Sequence, residues 1–241
     1  EQKEKFVKGA VFKGHQEKFA LEVFEKVIEP FAGYGFNKAH AACYAMISYQ
    51  TAYLKARYPT EFMAALLSAD SDNTDRIILE INECNEMGIA VLSPSINESF
   101  LNFTVVDGKT IRFGLGAIKG LGEGTLQEIL AVRKNGKFAS LEDLLRRVPS
   151  KLLNKKTLEA LAYSGALDEY GDRKVLALSY DELSKFSKYT QAVNAEGQTD
   201  IFGMMTEPSD GALSFQLKKD VVPATFMEKL TWEKAYLGLY V

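Results

Sequence analysis

Sixteen consecutive residues without a charge, Ala39 to Leu54, constrain this chain more than any other stretch. They are rich in alanine and apolar nearly all round, with Gly33 and Gly35 before them and Pro59 after. Such a pattern predicts a helix over Ala39–Arg57 that is buried on all sides. The run is too short, and too polar at His40, Ser48 and Gln50, to cross a bilayer, which takes about 20 apolar residues. The expectation is a helical protein with an interior helix, and no membrane partner.

Composition sets the outer bounds. The 241 residues suffice for one large domain or two small ones. Hydrophobic residues are 46% and charged residues 25%, ordinary globular proportions. Cys43 and Cys84 show no CxxC spacing, and only His15 and His40 accompany them, so no metal site is expected. With no basic-then-apolar start, the chain reads as a reduced, cytoplasmic protein. The net charge of −3 hides an uneven spread: +3 over residues 1–60, −7 over 61–100, +5 over 101–160 and −4 over 161–241. A basic segment in an acidic chain is either a phosphate-contacting face or a solvated one.

Helical spacing predicts a first helix from Phe6 to about Val27 and a loop over Pro30–Asn37. Pro59 is expected to end the apolar helix, with Thr60 capping the next, Glu61–Leu67. Asp72-Asn73-Thr74 should open a helix that runs to Met87 and stops at Gly88. Ile89–Leu92 reads as a short extended piece. Phe103–Val106 and Lys109–Phe113 flank Asp107-Gly108, which predicts a β-hairpin with a type I′ turn. Helices follow over Glu123–Asn135, Ser140–Arg147, Asn154–Ser164 and Arg173–Gln191. Asn194–Asp210 reads as a polar linker.

Ile118-Lys119-Gly120-Leu121-Gly122-Glu123-Gly124 opens the helix after it. Glycines permit positive φ and leave amides bare, and amides at a helix start carry partial positive charge. A nucleic-acid phosphate can sit there, held by position and not by sequence. Lys119, Arg133, Lys134 and Lys137 would add salt-sensitive attraction. An unliganded glycine-rich turn explains the same residues. A second helical pair ending near Gly165 lacks the Gly-x-Gly hairpin, with Lys151, Lys155 and Lys156 beside it.

Tyr34, Asn37, Lys38 and His40 gather where the glycine-broken loop meets the apolar helix. Lys38 gains nothing from the helix dipole unless it faces an anion, and Tyr34 and Phe36 offer flat surfaces for a base. A buried histidine and a solvated lysine are the plain alternative. In the linker, Gln198-Thr199-Asp200-Ile201-Phe202 places two apolar anchors after a polar lead, a form that extended peptides use to dock.

Taken together, the Gly33–Asp70 block, the glycine hairpin and the pentapeptide resemble, in the same order, the bacterial DNA polymerase III alpha subunit family. The resemblance covers nearly the whole chain and implies a mainly α fold. It implies the C-terminal part of the polymerase fingers over 1–97, a helix-hairpin-helix domain with a small β-hairpin over 98–175, a helix and clamp-binding linker over 176–211, and a lead-in to an OB domain over 212–241. It implies nucleotide or primer contacts at Tyr34, Asn37, Lys38 and His40. Backbone contacts fall at Lys119, Gly120, Gly122 and Gly124, and sliding-clamp contacts at Gln198, Asp200, Ile201 and Phe202. The family's pattern Phe-Asn-Lys-Ser-His stands here as Phe36-Asn37-Lys38-Ala39-His40. The expected partners are primer-template DNA, deoxynucleoside triphosphate, the β clamp and other replicase subunits. The Mg²⁺-binding aspartates of the palm have no counterpart here, so no catalytic residue is expected and the piece alone should be inactive. A non-catalytic DNA-binding adaptor in repair, a translesion paralogue and a protein-binding helical scaffold are the competing readings.

Overall fold

The computed structural model describes residues 1–34, 37–195 and 215–240, of which the side chains of 33–34 and 193–195 are excepted. The protein is mainly helical with one small sheet. It divides into two compact units, Glu1–Arg57 and Tyr58–Val241. The sequence reading draws its first boundary after residue 97, forty residues further on.

In the first unit, α1 (Gln2–Phe12) and α2 (Glu17–Val23) pack through Val7 and Ala20. They form two helices where the spacing predicts one. The break falls at Gly14, whose φ of +89° suits a residue without a side chain. A π-helical turn, Phe24–Ile28, leads into α3 (Glu29–Tyr34). The helix therefore runs through Pro30, where a loop is expected. Proline has no N–H and crowds the carbonyl four residues back. The Glu29 N–H bonds to the Phe24 carbonyl, five residues back, so the wider turn absorbs that misfit.

The predicted apolar helix forms as α4 (Lys38–Arg57), but no residue of it is buried. Tyr44, Met46, Ile47 and Tyr49 are more than half exposed. This corrects the expectation of an interior helix. The composition is right for burial, but α1 and α2 pack on each other and, like α3, on the π turn.

The second unit opens with α5 (Pro59–Ala69) and α6 (Thr74–Glu86). Pro59 is the first residue of α5, where a missing N–H costs nothing. Thr60 does not cap; its hydroxyl donates to the Gly108 carbonyl at 2.7 Å, tying α5 to the sheet. The sheet has the order β1-β3-β2, from β1 (Ala90–Leu92), β2 (Thr104–Asp107) and β3 (Thr110–Arg112). β1 runs parallel to β3 with Val91 opposite Ile111, and β2 antiparallel with Thr104 opposite Arg112. The turn is not type I′, because Gly108 is not among the glycines with positive φ. Asp107 Oδ1 instead accepts the Lys109 N–H at 2.9 Å, and a bulge separates Val105 from Asp107.

Helices α7 (Glu123–Arg133), α8 (Leu141–Arg147), α9 (Lys155–Tyr163), α10 (Arg173–Leu178), α11 (Tyr180–Ala195) and α12 (Phe226–Tyr236) complete the unit. The expected Arg173–Gln191 helix is broken at buried Ser179, whose hydroxyl accepts the Lys218 N–H at 3.0 Å. One core joins Met63 and Leu67 of α5, Phe113, Leu126 and Ile129 of α7, and Leu144 and Leu161 from α8 and α9. Asn97 locks it from within. Its amide donates to the Phe138 carbonyl at 2.9 Å, and its oxygen accepts the Phe138 N–H at 2.8 Å. Trp232 and Tyr236 stack on Tyr163, with ring centroids 4.5 and 5.7 Å away, which holds α12 on α9.

Candidate nucleic-acid interface

The sequence Lys119–Gly124 forms a tight turn into α7. Buried Ile118 anchors its start, and Leu126 and Ile129 anchor the helix beyond. The Lys119 N–H donates to the Tyr236 carbonyl at 2.9 Å, so α12 holds the turn from behind. Gly120 has φ of +91°, and a Cβ there would lie 3.4 Å from Lys156 Cε. Gly122 has ordinary extended angles, φ −86° and ψ 139°. Nothing lies within 4 Å of a Cβ added at Gly122 or Gly124. The fold thus requires glycine at 120, and leaves 122 and 124 as bare backbone facing open space.

The start of α7 is also uncapped by any side chain. By contrast Asn73, Ser140, Asn154, Asp172 and Thr225 cap α6, α8, α9, α10 and α12. Free amides at the head of an eleven-residue helix concentrate partial positive charge. Lys119 and Lys156 flank them. Lys156 is brought to the turn by α9, a placement that spacing along the chain does not reveal.

The other basic residues expected around the hairpin lie elsewhere. Arg133, Lys134 and Lys137 sit at the far end of α7, about 18 Å away at 1.5 Å per helical residue. Arg133 donates to the Ile96 carbonyl at 2.7 Å, and Lys137 pairs with Glu98 at 3.5 Å.

The second turn, at Gly165, has φ of +86° and resembles the first in outline. Its interior is filled. Arg173 reaches Asp168 with Nε and Nη2, both at 2.8 Å, and Glu233 with Nη1 at 2.9 Å. Asp172 accepts the Lys174 and Val175 N–H groups. This turn meets its own polar needs and offers no bare amides like those of the first.

At the head of α4, the Asn37 side chain accepts the His40 N–H at 3.0 Å and so caps the helix. Lys38 and His40 are exposed, and the His40 ring meets Tyr44 edge-on at 4.4 Å. His40 is therefore not the buried histidine of the plain alternative. The Tyr34 side chain and Phe36 lie outside the described residues, as do Gln198, Asp200, Ile201 and Phe202.

Residues 88–176, from the start of the sheet through most of α10, match the helix-hairpin-helix motif family. Over its length the chain is 41% identical to the DNA polymerase III subunit alpha of Vibrio cholerae, covering 98% of this chain and 20% of that protein. It is 41% identical to that of Thermus aquaticus, over 99% of this chain and 19% of the relative. For Escherichia coli K12 the figures are 40%, 100% and 21%. The chain corresponds, end to end, to a segment of the DNA polymerase III alpha subunit. It spans about a fifth of the length of these relatives.

A polymerase of this kind implies Mg²⁺, but the described residues do not fit one. No group of three or more His, Cys, Asp or Glu is placed to hold a metal ion among them. Asp70 and Glu80 share a side-chain hydrogen bond. Asp70 bonds Arg76 at 3.0 Å, and Glu80 is only 8% exposed. Burial, then the hydrogen bond and charge of Asp70, push the Glu80 carboxyl up to about 7, against the pull of Arg76. A carboxyl that keeps its proton is a poor metal ligand. The folded chain holds this proton up to about pH 7, whereas the unfolded chain releases it near 4.5. The stability it contributes is therefore full below that lower value and is lost as pH rises through the upper one. Urea denaturation at about pH 5 and about pH 8 should show the loss, on the order of 2 kcal/mol, and Glu80→Gln should abolish this part of the slope.

No helix among the described residues is long and apolar enough to cross a membrane. Cys43 is exposed and Cys84 is buried.

Proposed function

We propose that the chain is the part of a replicative DNA-directed DNA polymerase that grips duplex DNA behind the reaction centre and ties the enzyme to its clamp. The observation that carries this reading is the α7 turn, with bare backbone at Gly122 and Gly124 where the fold itself does not demand glycine. At Gly122 and Gly124 a phosphate oxygen meets no side chain of the glycines themselves and no atom of a residue distant in sequence, and Lys119 and Lys156 supply positive charge at the edge against the one acid of the first turn, Glu123. Such a grip is independent of base sequence, as a polymerase needs.

In the same reading residues 1–97 belong to the fingers, and Lys38 and His40 face the triphosphate or primer end, with Asn37 fixing the helix start between them. Residues 98–175 form the DNA-gripping domain and 212–241 lead into an OB domain. Template-directed addition of deoxynucleotides, with Mg²⁺, is the reaction of the whole subunit, its metal ligands supplied outside this chain.

Two outcomes test the reading. Fluorescence anisotropy with a 5′-labelled duplex should give binding that weakens with salt, and Lys119→Ala should lower the slope of log K against log salt by about 1. A chain that is folded yet binds no duplex at about 50 mM salt contradicts the grip. For the clamp, Ile201 and Phe202 would enter an apolar pocket while Gln198 bonds at its rim. Surface plasmon resonance against a bacterial β clamp should show binding that Gln198→Ala/Phe202→Ala weakens by roughly 100-fold or more, since a few buried anchors hold most of such an interface. Unchanged binding removes the pentapeptide from the account.

A further inference from the structure

The basic residues displaced from the hairpin gather around a groove of their own. It has a volume of about 810 Å³ and lies between β2, the residues before it and the second half of α7. Val105, Val106 and Leu130 line its apolar floor. Phe100 stands in it with 57% of its surface exposed. The Arg133 guanidinium lies 5.0 Å over the Phe100 ring, fixed by its bond to the Ile96 carbonyl. Arg112, Lys134 and Lys137 are the other basic residues of the lining, and its one acid, Glu98, is already paired with Arg112 and Lys137. The lining thus carries +3, in a chain whose net charge is −3. Arg112 also keeps a buried Nε with no acceptor among the described residues.

We infer that this groove binds single-stranded DNA, with a base stacked on Phe100 and the flanking phosphates held by Lys134, Lys137 and Arg112. A solvent-facing ring beside a fixed guanidinium is a flat platform for a base, and stacking tolerates any base. Surplus positive charge around an apolar floor complements a ligand with flat bases and an anionic backbone. An acidic peptide is the other anionic candidate, but β2 is a poor edge for it. The strand has four residues and a bulge between Val105 and Asp107, which interrupts the ladder an added strand needs. The groove lies about 18 Å along α7 from the hairpin, so one helix presents duplex backbone at its start and a single strand near its end. The inference rests on the reading of the chain as a DNA-handling segment.

The test uses the full chain, a labelled oligothymidylate of about 12 nucleotides and a labelled duplex. Phe100→Ala removes an exposed ring and leaves the core intact; it should weaken oligothymidylate binding roughly tenfold and leave duplex binding within about twofold. Lys134→Glu/Lys137→Glu should do the same. Oligothymidylate carrying 5-iododeoxyuridine should photo-crosslink to the peptide containing Phe100. Gly122→Ala/Gly124→Ala should weaken the duplex alone. If that hairpin variant changes nothing while Phe100→Ala still weakens the single strand, the hairpin reading fails and the groove stands. Unchanged oligothymidylate binding by Phe100→Ala overturns the groove. So does an equal loss with both probes, or displacement of oligothymidylate only by an acidic peptide.

Discussion

Replacing Arg173 by leucine should cost the protein about 3–5 kcal/mol of stability. Arg173 is 5% exposed and Glu233, its partner on α12, is 6% exposed. Burial alone works against the guanidinium charge, but Asp168 and Glu233 outweigh it and hold its pKa above the ordinary arginine value. Taking away the cation removes the Arg173 bond from the buried Glu233 carboxylate and sets an apolar side chain beside it, and breaking one side of a buried ion pair is expensive. The consequence reaches the hairpin. Arg173 joins α10 to α12, and the end of α12 supplies the Tyr236 carbonyl that holds the Lys119 N–H. The double variant Arg173→Leu/Glu233→Leu should recover much of the loss, because both charges leave together. Urea midpoints of the three proteins decide it. A single variant that loses less than about 1 kcal/mol would mean that the pair is solvated and does not fasten α12.

Much of this fold was legible in the sequence, for identifiable reasons. Helix α6 announced itself through Asn73 and Gly88, and the strands through alternation around Asp107-Gly108. Both signals are local. What was not legible depended on contacts between distant residues. The Gly108 turn departs from type I′ while its carbonyl receives the Thr60 hydroxyl, 48 residues away. Ser179 breaks a helix while its hydroxyl takes an N–H from Lys218. For α4, composition predicts burial, yet no residue of it is buried, because apolar content alone does not say which surfaces meet.

The candidate site divides along the same line. The Gly120–Gly124 turn was visible because its motif is contiguous. Lys156 was not assigned to that turn, because α9 delivers it from outside the motif. Arg133, Lys134 and Lys137 were assigned to the hairpin by proximity in sequence, yet α7 carries them to the Phe100 groove. The second turn lacks the Gly-x-Gly hairpin in sequence, and in the fold Arg173 fills it.

The double variant Gly122→Ala/Gly124→Ala carries the second large effect. Neither position has a positive φ, and neither added methyl meets another atom within 4 Å. At Gly124, inside α7, alanine should add about 0.5–1 kcal/mol of stability through helix propensity. At Gly122, a helix cap, it should cost a few tenths to about 1 kcal/mol, so the fold is nearly unaffected. The methyl groups do, however, stand over the amides that a phosphate would approach. Losing one or two charge-assisted bonds should weaken duplex binding by roughly tenfold to 100-fold. Structural glycines and ligand-facing glycines predict opposite patterns here. The decisive measurement is duplex affinity of this variant beside its thermal midpoint. The account predicts an unchanged midpoint with at least about tenfold weaker binding. Wild-type affinity from the folded variant would contradict it, and would leave the α7 turn as a glycine-rich connection with no hold on DNA.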